Sequence, residues 1–295
     1  MEGKGLLSIL WKIIKAIFNK EPEPQLDPEI LLDPEGDMTK KALCVGINDY
    51  PGSQNDLKGC VNDCNNWAAL LKKRGFSRIV KVRNSEATVR RVKAAINNHI
   101  KATKAGDVLV ITFSGHGTSV YDKSGDEADG RDEALCLYDG LLLDDDLAKC
   151  LKNIVEGAIV TLVMDCCHSG TITRNYVSSG SHLEEHLDEK ARVMESLWTA
   201  PNTPVVKAFG RGGEGRMKHL LLTGCTSKQY SYDAYINGTY QGALSYNASD
   251  VINKAKGITW NIFYKRLKTK LPSSQYPQNP QLEGPTHLKK RELFT

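Results

Sequence analysis

Residues 108–117 read VLVITFSGHG, and residues 159–170 read IVTLVMDCCHSG. Each stretch opens with a continuous apolar run of strand length, which is typical of a strand buried on both faces of a parallel sheet. Each run is followed by glycine and by a residue that can carry a proton or attack a carbonyl, namely His116 and Cys167. The two stretches therefore predict an α/β fold in which chemically capable side chains follow two strand ends.

Similar apolar runs recur along the chain and alternate with segments of helical periodicity. Further strands are predicted at ALCVGI (42–47), IVKV (79–82) and HLLLTG (219–224), and helices near 59–74, 86–103, 145–154, 247–255 and 260–271. Crossover connections between parallel strands place the helices on both faces of the sheet. The pattern predicts a mostly parallel central sheet whose working groups collect at the carboxyl ends of its strands.

The composition is that of an ordinary soluble globular protein. The 295 residues are 40% hydrophobic and 25% charged, with a formal net charge of +4. No run of Lys and Arg is interleaved with aromatic residues, so we expect no nucleic acid partner. The eight cysteines lack the dense spacing of a disulfide-stapled secreted domain, which favours a reducing, cytoplasmic location. Cys60 and Cys64 share a helix face, where buried packing is favoured over a metal pair.

The start of the chain differs from the rest. Residues 1–20 predict an amphipathic helix, because LLSILWKIIKAIF (6–18) has a broad apolar face interrupted by two lysines. This segment is too short to span a bilayer, and two interpretations stay open: a helix docked on its own domain, or a peripheral contact with a membrane or a partner. Residues 21–39 hold four prolines among acidic residues and are predicted to form a linker. Residues 40–295 are predicted to form the main domain.

The residue types after the two strands fit nucleophilic catalysis by a thiol. A thiol attacks a carbonyl as the thiolate, so it needs a neighbouring imidazole and N–H donors for the oxygen that becomes negative. His116 and Cys167 would meet in one crevice if their strands are neighbours. Gly117 allows close approach of a substrate, and its N–H and that of Cys167 would form an oxyanion hole. Cys166 is expected to pack inward, because side chains alternate along an extended chain.

The order of these motifs resembles that of a known family. S-G-H-G (114–117) precedes D-C-C-H-S-G (165–170), and Cys167 follows His116 by 51 positions, as in the caspase-like superfamily. The H-S-G is similar to the metacaspase form. The resemblance covers about residues 42–250 and extends through ALCVGINDY, GCVNDC, GDEADGRDE, LDDDL and CTSKQYSYDA. It implies a caspase-like three-layer α/β fold and a cysteine endopeptidase with a Cys-His dyad that needs no cofactor for its chemistry.

The resemblance also implies a substrate class. Metacaspases bind Arg or Lys on the amino side of the cleaved bond, and the matching carboxylates here are Asp63 and Asp165. Ser114 matches a residue that lines the same pocket, and Asp233 lies in a stretch similar to the substrate-cleft loop. Asp165 precedes Cys167 by two residues, so the two side chains of an extended strand face the same way. Two carboxylates can hold a guanidinium in bidentate fashion, which favours protein or peptide substrates with Arg over those with Lys.

Residues 174–216, approximately, are polar and weakly periodic, which predicts an exposed loop. Six basic residues of this loop are candidate sites of self-cleavage: Arg174, Lys190, Arg192, Lys207, Arg211 and Arg216. If the enzyme prefers basic residues, we expect autoprocessing there.

Calcium is a further expectation. Acidic residues are dense at 126–133 and 144–146, and hard oxygen ligands suit Ca²⁺. By resemblance, the aspartates that bind activating calcium in metacaspases match Asp132, Asp144 and Asp145, with Arg174 at the fourth position. A cation there opposes a divalent ion, so calcium activation and a simple solvated acidic loop both stay open.

Two other functions compete with the peptidase. The first is a catalytically silent caspase-like scaffold or assembly module, since a fold does not guarantee an activity. The second is a doubly wound nucleotide-binding domain, but neither G-x-G-x-x-G nor G-x-x-x-x-G-K-[ST] follows the first strand. The intact Cys and His pair favours the peptidase.

Overall fold

The computed structural model describes residues 38–121, 131–166, 190–191, 217–226 and 229–295. The predicted helix at 1–20 and nearly all of the predicted linker at 21–39 lie outside this part of the chain. Most of the predicted loop at 174–216 lies outside it as well. These three assignments stay predictions.

The described residues contain twelve strands and six α-helices. The strands are β1 Lys40–Gly46, β2 Arg78–Arg83, β3 Val108–Ser114, β4 Gly117–Tyr121, β5 Arg131–Leu137, β6 Gly140–Leu143, β7 Ile159–Asp165, β8 Lys190–Ala191, β9 Leu220–Thr223, β10 Tyr232–Ile236, β11 Thr239–Gly242 and β12 Gln281–Glu283. The helices are α1 Cys60–Lys73, α2 Val89–Lys101, α3 Asp144–Leu151, α4 Ala243–Asn253, α5 Trp260–Leu267 and α6 Thr286–Lys289.

A six-stranded sheet in the order β12-β9-β7-β3-β1-β2 forms the centre of the fold. Its first five strands along the chain run parallel to one another, and only the short edge strand β12 is antiparallel to its neighbour. The strands β1, β3 and β7 are almost entirely buried, which explains why their sequences are continuous apolar runs rather than alternating ones.

Helices cover both faces of this sheet. Leu43 and Val45 of β1 belong to one apolar cluster, together with buried residues of α2 and α3. Ala42 and Cys44, the alternate residues, belong to a second cluster with buried residues of α1, α4 and α5. Because successive side chains of a strand point to opposite faces, the two clusters lie on the two sides of the sheet. The predicted mostly parallel sheet with helices on both faces is confirmed.

The structure also contains two smaller antiparallel sheets, which were not predicted from the sequence. The first has the order β4-β5-β6 and begins directly after the His116 position. The second contains the hairpin β10-β11, whose turn residues Asn237 and Gly238 both have positive φ, at 53° and 80°. Asn-Gly with two positive φ angles is the preferred two-residue hairpin turn, so this signal was present in the sequence.

The predicted loop at 174–216 contains one short described strand. Residues 190–191 form β8, which pairs antiparallel with β10 and sets Lys190 opposite Asp233. The short strand thus completes the order β11-β10-β8.

Candidate active site

The strands that precede His116 and Cys167 are neighbours. β3 and β7 pair in parallel over seven residues, and their register ends with Ser114 opposite Asp165. His116 follows Ser114 by two residues, and Cys167 follows Asp165 by two residues in the sequence. Cys167 itself lies outside the described residues. Its neighbour Cys166 is fully buried, as expected.

The imidazole of His116 is buried and held by a main-chain oxygen. Its Nε2 atom lies 2.7 Å from the carbonyl oxygen of Asn55, which ends a short 3₁₀ turn after β1. A carbonyl oxygen can only accept a hydrogen bond, so Nε2 carries the proton. In the neutral ring, Nδ1 is then the basic nitrogen.

The hydroxyl of Tyr50 fixes the main chain at His116. The His116 N–H donates to Tyr50 Oη at 2.9 Å, and Oη donates to the carbonyl oxygen of Cys136 at 3.1 Å. The Cys136 N–H donates to the His116 carbonyl oxygen at 3.0 Å. Tyr50 Oη is thus inserted into one rung between the His116 segment and β5. Burial raises the pKa of the Tyr50 hydroxyl well above its ordinary value, so the group keeps the proton that it donates.

Tyr50 also sets the position of the His116 ring. The two ring centroids are 4.9 Å apart, with the ring planes inclined by 50°. Gly115 makes this approach possible, because a Cβ atom there would lie 2.6 Å from Tyr50 Oη and 2.8 Å from the Phe113 ring. The sequence did not identify Tyr50, although it ends the stretch ALCVGINDY; only its long-range contacts reveal its role.

The N–H of Gly117 is not part of the pairing between β4 and β5. Gly117 lies opposite Leu135, and the preceding pair, His116 with Cys136, is the one joined by hydrogen bonds. Hydrogen-bonded and non-bonded pairs alternate along antiparallel strands, so the Gly117 pair is of the non-bonded kind. Its N–H therefore points away from β5.

The carboxylate of Asp63 is buried against the start of a helix. Asp63 lies in the first turn of α1, and both of its oxygens accept the N–H of Gly242 at 3.0 Å. Gly242 is the N-cap residue of α4. The carboxylate thus satisfies an N–H that has no partner inside the helix and lies at the positive end of the helix dipole.

Asp165 holds the first turn of the same helix, three residues after Gly242. Its Oδ2 accepts the N–H of Ser245 at 2.9 Å and the Ser245 hydroxyl at 2.7 Å, while Oδ1 accepts the Ser231 hydroxyl at 2.6 Å. The carboxylate is fully buried. Asp63 and Asp165, both predicted to bind a cation, therefore meet at the N-terminus of α4.

Asp233 performs the corresponding task for α1. Its carboxylate accepts the N–H of Lys58 at 2.7 Å and the N–H of Gly59, the N-cap residue of α1, at 3.0 Å. Asp233 also lies opposite Gly242 in the β10-β11 hairpin. Ser114 is buried at the end of β3, where its carbonyl oxygen accepts the N–H of Ile47 at 3.1 Å.

The structure brings two of the three predicted calcium ligands to one helix start. Asp144 and Asp145 begin α3, and the Asp145 N–H donates to Asp144 Oδ1 at 2.9 Å. Asp132 lies in β5, two residues before Ala134, which pairs with Leu143 at the end of β6. Arg174 lies outside the described residues. Among the side chains that the structure describes, which do not include that of Asp132, no group of three or more His, Cys, Asp or Glu residues could hold a metal ion.

Cys60 and Cys64 are both buried, as the packing interpretation predicts. Cys64 Sγ donates to the carbonyl oxygen of Cys44 at 3.2 Å, and burial raises the Cys64 pKa to about 11. The two residues thus behave as packed thiols in the core. None of the helices that the structure describes has the length and apolar character needed to cross a bilayer, and the predicted surface helix at 6–18 is not among them.

The family model named "Metacaspase, peptidase C14 domain" matches residues 40–175. Metacaspase-1 of Meyerozyma guilliermondii is 30% identical over 294 residues, which cover 83% of this chain and 69% of the relative. The chain belongs to the metacaspase family. It is accordingly a caspase-like hydrolase of the cysteine endopeptidase class.

Solved structures agree with the metacaspase assignment. A crystal structure of a protein from Geobacter sulfurreducens matches with a TM-score of 0.65 and 26% identity, over 87% of this chain and 98% of that chain. Caspase-1 from Spodoptera frugiperda matches with a TM-score of 0.55 and 12% identity, over 86% of this chain and 92% of that chain. At that identity the second match shows the fold alone, and the predicted caspase-like α/β architecture is confirmed.

Tyr50 Oη bridges the His116 N–H and the Cys136 carbonyl oxygen, and we expect this bridge to contribute to the stability of the fold. Tyr50→Phe removes the hydroxyl and leaves a buried N–H at His116 and a buried carbonyl at Cys136 unpaired, so we expect the free energy of unfolding to fall by about 2 kcal/mol. Urea unfolding of the purified protein measures this change. Tyr235→Phe, at a side chain that is 52% exposed, is the matched control and should change stability by less than about 0.5 kcal/mol. Equal stability of the two variants would contradict the bridge.

Proposed function

We propose that this chain is an active endopeptidase that cuts after Arg, and more slowly after Lys, with Cys167 as the nucleophile and His116 as its acid and base. The pairing of Ser114 with Asp165 carries the proposal. His116 and Cys167 each follow one member of that pair by two residues, on neighbouring parallel strands. An imidazole and a thiol at equivalent positions beyond adjacent strand ends are within reach of a common substrate carbonyl.

The hydrogen bond from His116 Nε2 to Asn55 supports a definite order of proton transfers. Nδ1 takes the proton of Cys167 Sγ, and the thiolate attacks the carbonyl carbon of the scissile bond. The C–N bond breaks as Nδ1–H gives its proton to the leaving amine, and a thioester remains. Water then gives a proton to Nδ1 and its hydroxide to the thioester carbon. The C–S bond breaks, the acid leaves, and Nδ1–H returns its proton to Cys167 Sγ. The N–H groups of Gly117 and Cys167 would bind the oxyanion in both halves.

The burial of Asp63 and Asp165 supports selection of a cation. Both carboxylates are removed from water and held by N–H or hydroxyl donors. In such a setting a guanidinium interacts more strongly with them than it would in water. Ser114, buried beside Asp165 in the strand register, would line the same pocket. Asp233 would act on this pocket by holding the first turn of α1, which carries Asp63.

The same specificity would make the basic residues of the 174–216 segment substrates of the enzyme itself. Lys190 is the candidate that the structure describes, and its main chain pairs with Asp233 of β10. β8 thus lies beside Asp233, the residue that holds the start of α1, and therefore near the proposed cleft. This position supports cleavage within the 174–216 segment.

Asp132, Asp144 and Asp145 would hold an activating Ca²⁺ ion. Their oxygens are the hard ligands that calcium prefers, and the β5-β6 hairpin carries Asp132 to the end at which Asp144 and Asp145 start α3. Bound there, the ion would fix the position of β5, to which the main chain at His116 is joined.

The partners of this enzyme would be proteins or peptides with Arg or Lys, in the cytoplasm. A peripheral membrane or partner contact through residues 6–18 is part of the proposal, on the basis of the amphipathic pattern alone.

A peptide panel tests the specificity. Purified protein should cleave fastest those peptides that have Arg immediately before the scissile bond. Peptides with Lys at that position should be cleaved second, and those with Asp not at all, because two carboxylates repel an acidic side chain.

Asp63→Asn should lower kcat/KM for the Arg peptides by at least about tenfold, since it removes one charged partner. Glu156→Gln is the control at an exposed acid and should leave the rate unchanged. Fastest cleavage after Asp would reject the proposed pocket, and no cleavage of any peptide by folded protein would favour the scaffold alternative.

Self-cleavage is tested by comparing wild type with Cys167→Ala after expression. Wild type should yield fragments whose new C-termini, read by mass spectrometry, are Arg or Lys within residues 174–216. Cys167→Ala should stay intact, because no thiolate is available for attack. Identical fragments from both proteins would show that another protease makes the cuts.

Calcium activation is tested by measuring Arg-peptide cleavage with excess Ca²⁺ and with a chelator. We expect a higher rate with Ca²⁺, and we expect Asp144→Asn with Asp145→Asn to lose that increase, because the ion loses two carboxylates. A rate that does not change between Ca²⁺ and chelator would rule out activation by calcium.

A further inference from the structure

A pair of serine hydroxyls holds the two oxygens of Asp165 from opposite sides. Ser231 Oγ lies 2.6 Å from Oδ1, and Ser245 Oγ lies 2.7 Å from Oδ2. The two serines come from different elements, since Ser231 precedes β10 and Ser245 lies in the first turn of α4. All three side chains are buried.

Each hydroxyl in turn receives an N–H from a further buried side chain. Gln278 Nε2 donates to Ser231 Oγ at 3.3 Å, and Trp67 Nε1 donates to Ser245 Oγ at 3.1 Å. A hydroxyl has one proton, and an amide or indole N–H cannot accept it. Both hydroxyl protons are therefore directed toward Asp165, which receives them on its two oxygens.

The orientation of the Gln278 amide is fixed by the main chain. Its Oε1 accepts the Tyr232 N–H at 3.1 Å, and its Nε2 also donates to the Gly224 carbonyl oxygen at 2.8 Å. A flipped amide would place like groups against each other at both positions, so Nε2 must face Ser231.

Gly224 provides the space for this arrangement. It follows β9 and lies beside Asp165, and a Cβ atom there would overlap Ser231 Oγ and lie 3.4 Å from Asp165 Oδ1. Any larger residue would push the Ser231 hydroxyl away from the carboxylate. The backbone is thus shaped around the contact between Ser231 and Asp165.

We infer that Gln278 is a positioning residue for substrate specificity, which acts on Asp165 through the hydroxyl of Ser231. By directing that proton to Oδ1, Gln278 holds Asp165 in one orientation toward a cationic side chain of the substrate. The inference rests on the proposed function, in which Asp165 binds Arg or Lys. Gln278 lies beyond residue 250, after the stretch that carries the sequence resemblance, so only the fold connects it to the site.

The test is a double-mutant cycle on the purified full chain. Gln278→Met keeps the unbranched shape and removes the N–H, so the Ser231 hydroxyl becomes free to turn away from Asp165. We expect KM for an Arg-ended peptide to rise about tenfold, with kcat changed by less than about threefold, because a hydrogen bond to a charged group is weakened. Ser231→Ala should give a similar rise. Gln275→Met, at an exposed glutamine three residues away, should leave KM unchanged.

The double variant separates a positioning role from a merely structural one. If Gln278 acts through Ser231, then Gln278→Met added to Ser231→Ala should raise KM by no more than about twofold further. A full additional tenfold rise would overturn the inference, and so would a KM for Gln278→Met equal to that of Gln275→Met. If Gln278→Met does not fold, an unchanged KM for Ser231→Ala overturns the inference by itself.

The outcome also distinguishes this inference from the proposed function. Wild-type protein that cleaves Arg peptides while both variants match it leaves the peptidase proposal standing and removes only the role of Gln278. Folded wild-type protein that cleaves no Arg or Lys peptide removes both.

Discussion

The parallel pairing of β3 with β7 is the constraint on which the rest of the structure depends. Seven consecutive residue pairs fix the register, from Val108 with Ile159 to Ser114 with Asp165. Both strands are buried on both faces, so a slip of one residue would move every side chain of one strand to the wrong face of the sheet. The same register sets the strand ends Ser114 and Asp165 side by side, and in the sequence His116 and Cys167 each follow one of them by two residues.

Buried acids join the helices to this edge of the sheet. Asp233 accepts two N–H groups at the start of α1, while Asp63 of α1 and Asp165 of β7 accept N–H groups at the start of α4. A buried carboxylate is costly unless it is hydrogen-bonded, and a helix N-terminus offers unpaired N–H groups together with a positive potential. The negative charges that the proposed specificity requires are therefore stabilised by the fold itself, and Gly59 and Gly242 are the N-cap residues through which this happens.

The sequence predicted the parts of the fold that depend on local pattern. All five parallel strands and five of the helices lie within a few residues of their predicted bounds, because buried strands read as apolar runs and helices show an apolar period. The small antiparallel sheets were missed, since their strands are short and partly polar.

Among the residues of the candidate site, His116 and the aspartates were named from sequence motifs. Tyr50, Ser231, Ser245 and Gln278 were missed because only contacts between distant segments give them a role. Cys167 stays a prediction.

The pairing of His116 with Cys167 is tested most directly by the pH dependence of Cys167 alkylation by iodoacetamide, followed by peptide mapping in wild type and in His116→Gln. An imidazole beside the sulfur stabilises the thiolate, so wild-type Cys167 should react rapidly below about pH 7. An ordinary thiol has a pKa of about 8.5 and should react slowly there. The seven other cysteines are buried, which lets the Cys167 peptide be read separately. His116→Gln should move the reaction to the pH range of an ordinary thiol. An identical profile in the two proteins would contradict the claim that these two residues share one site.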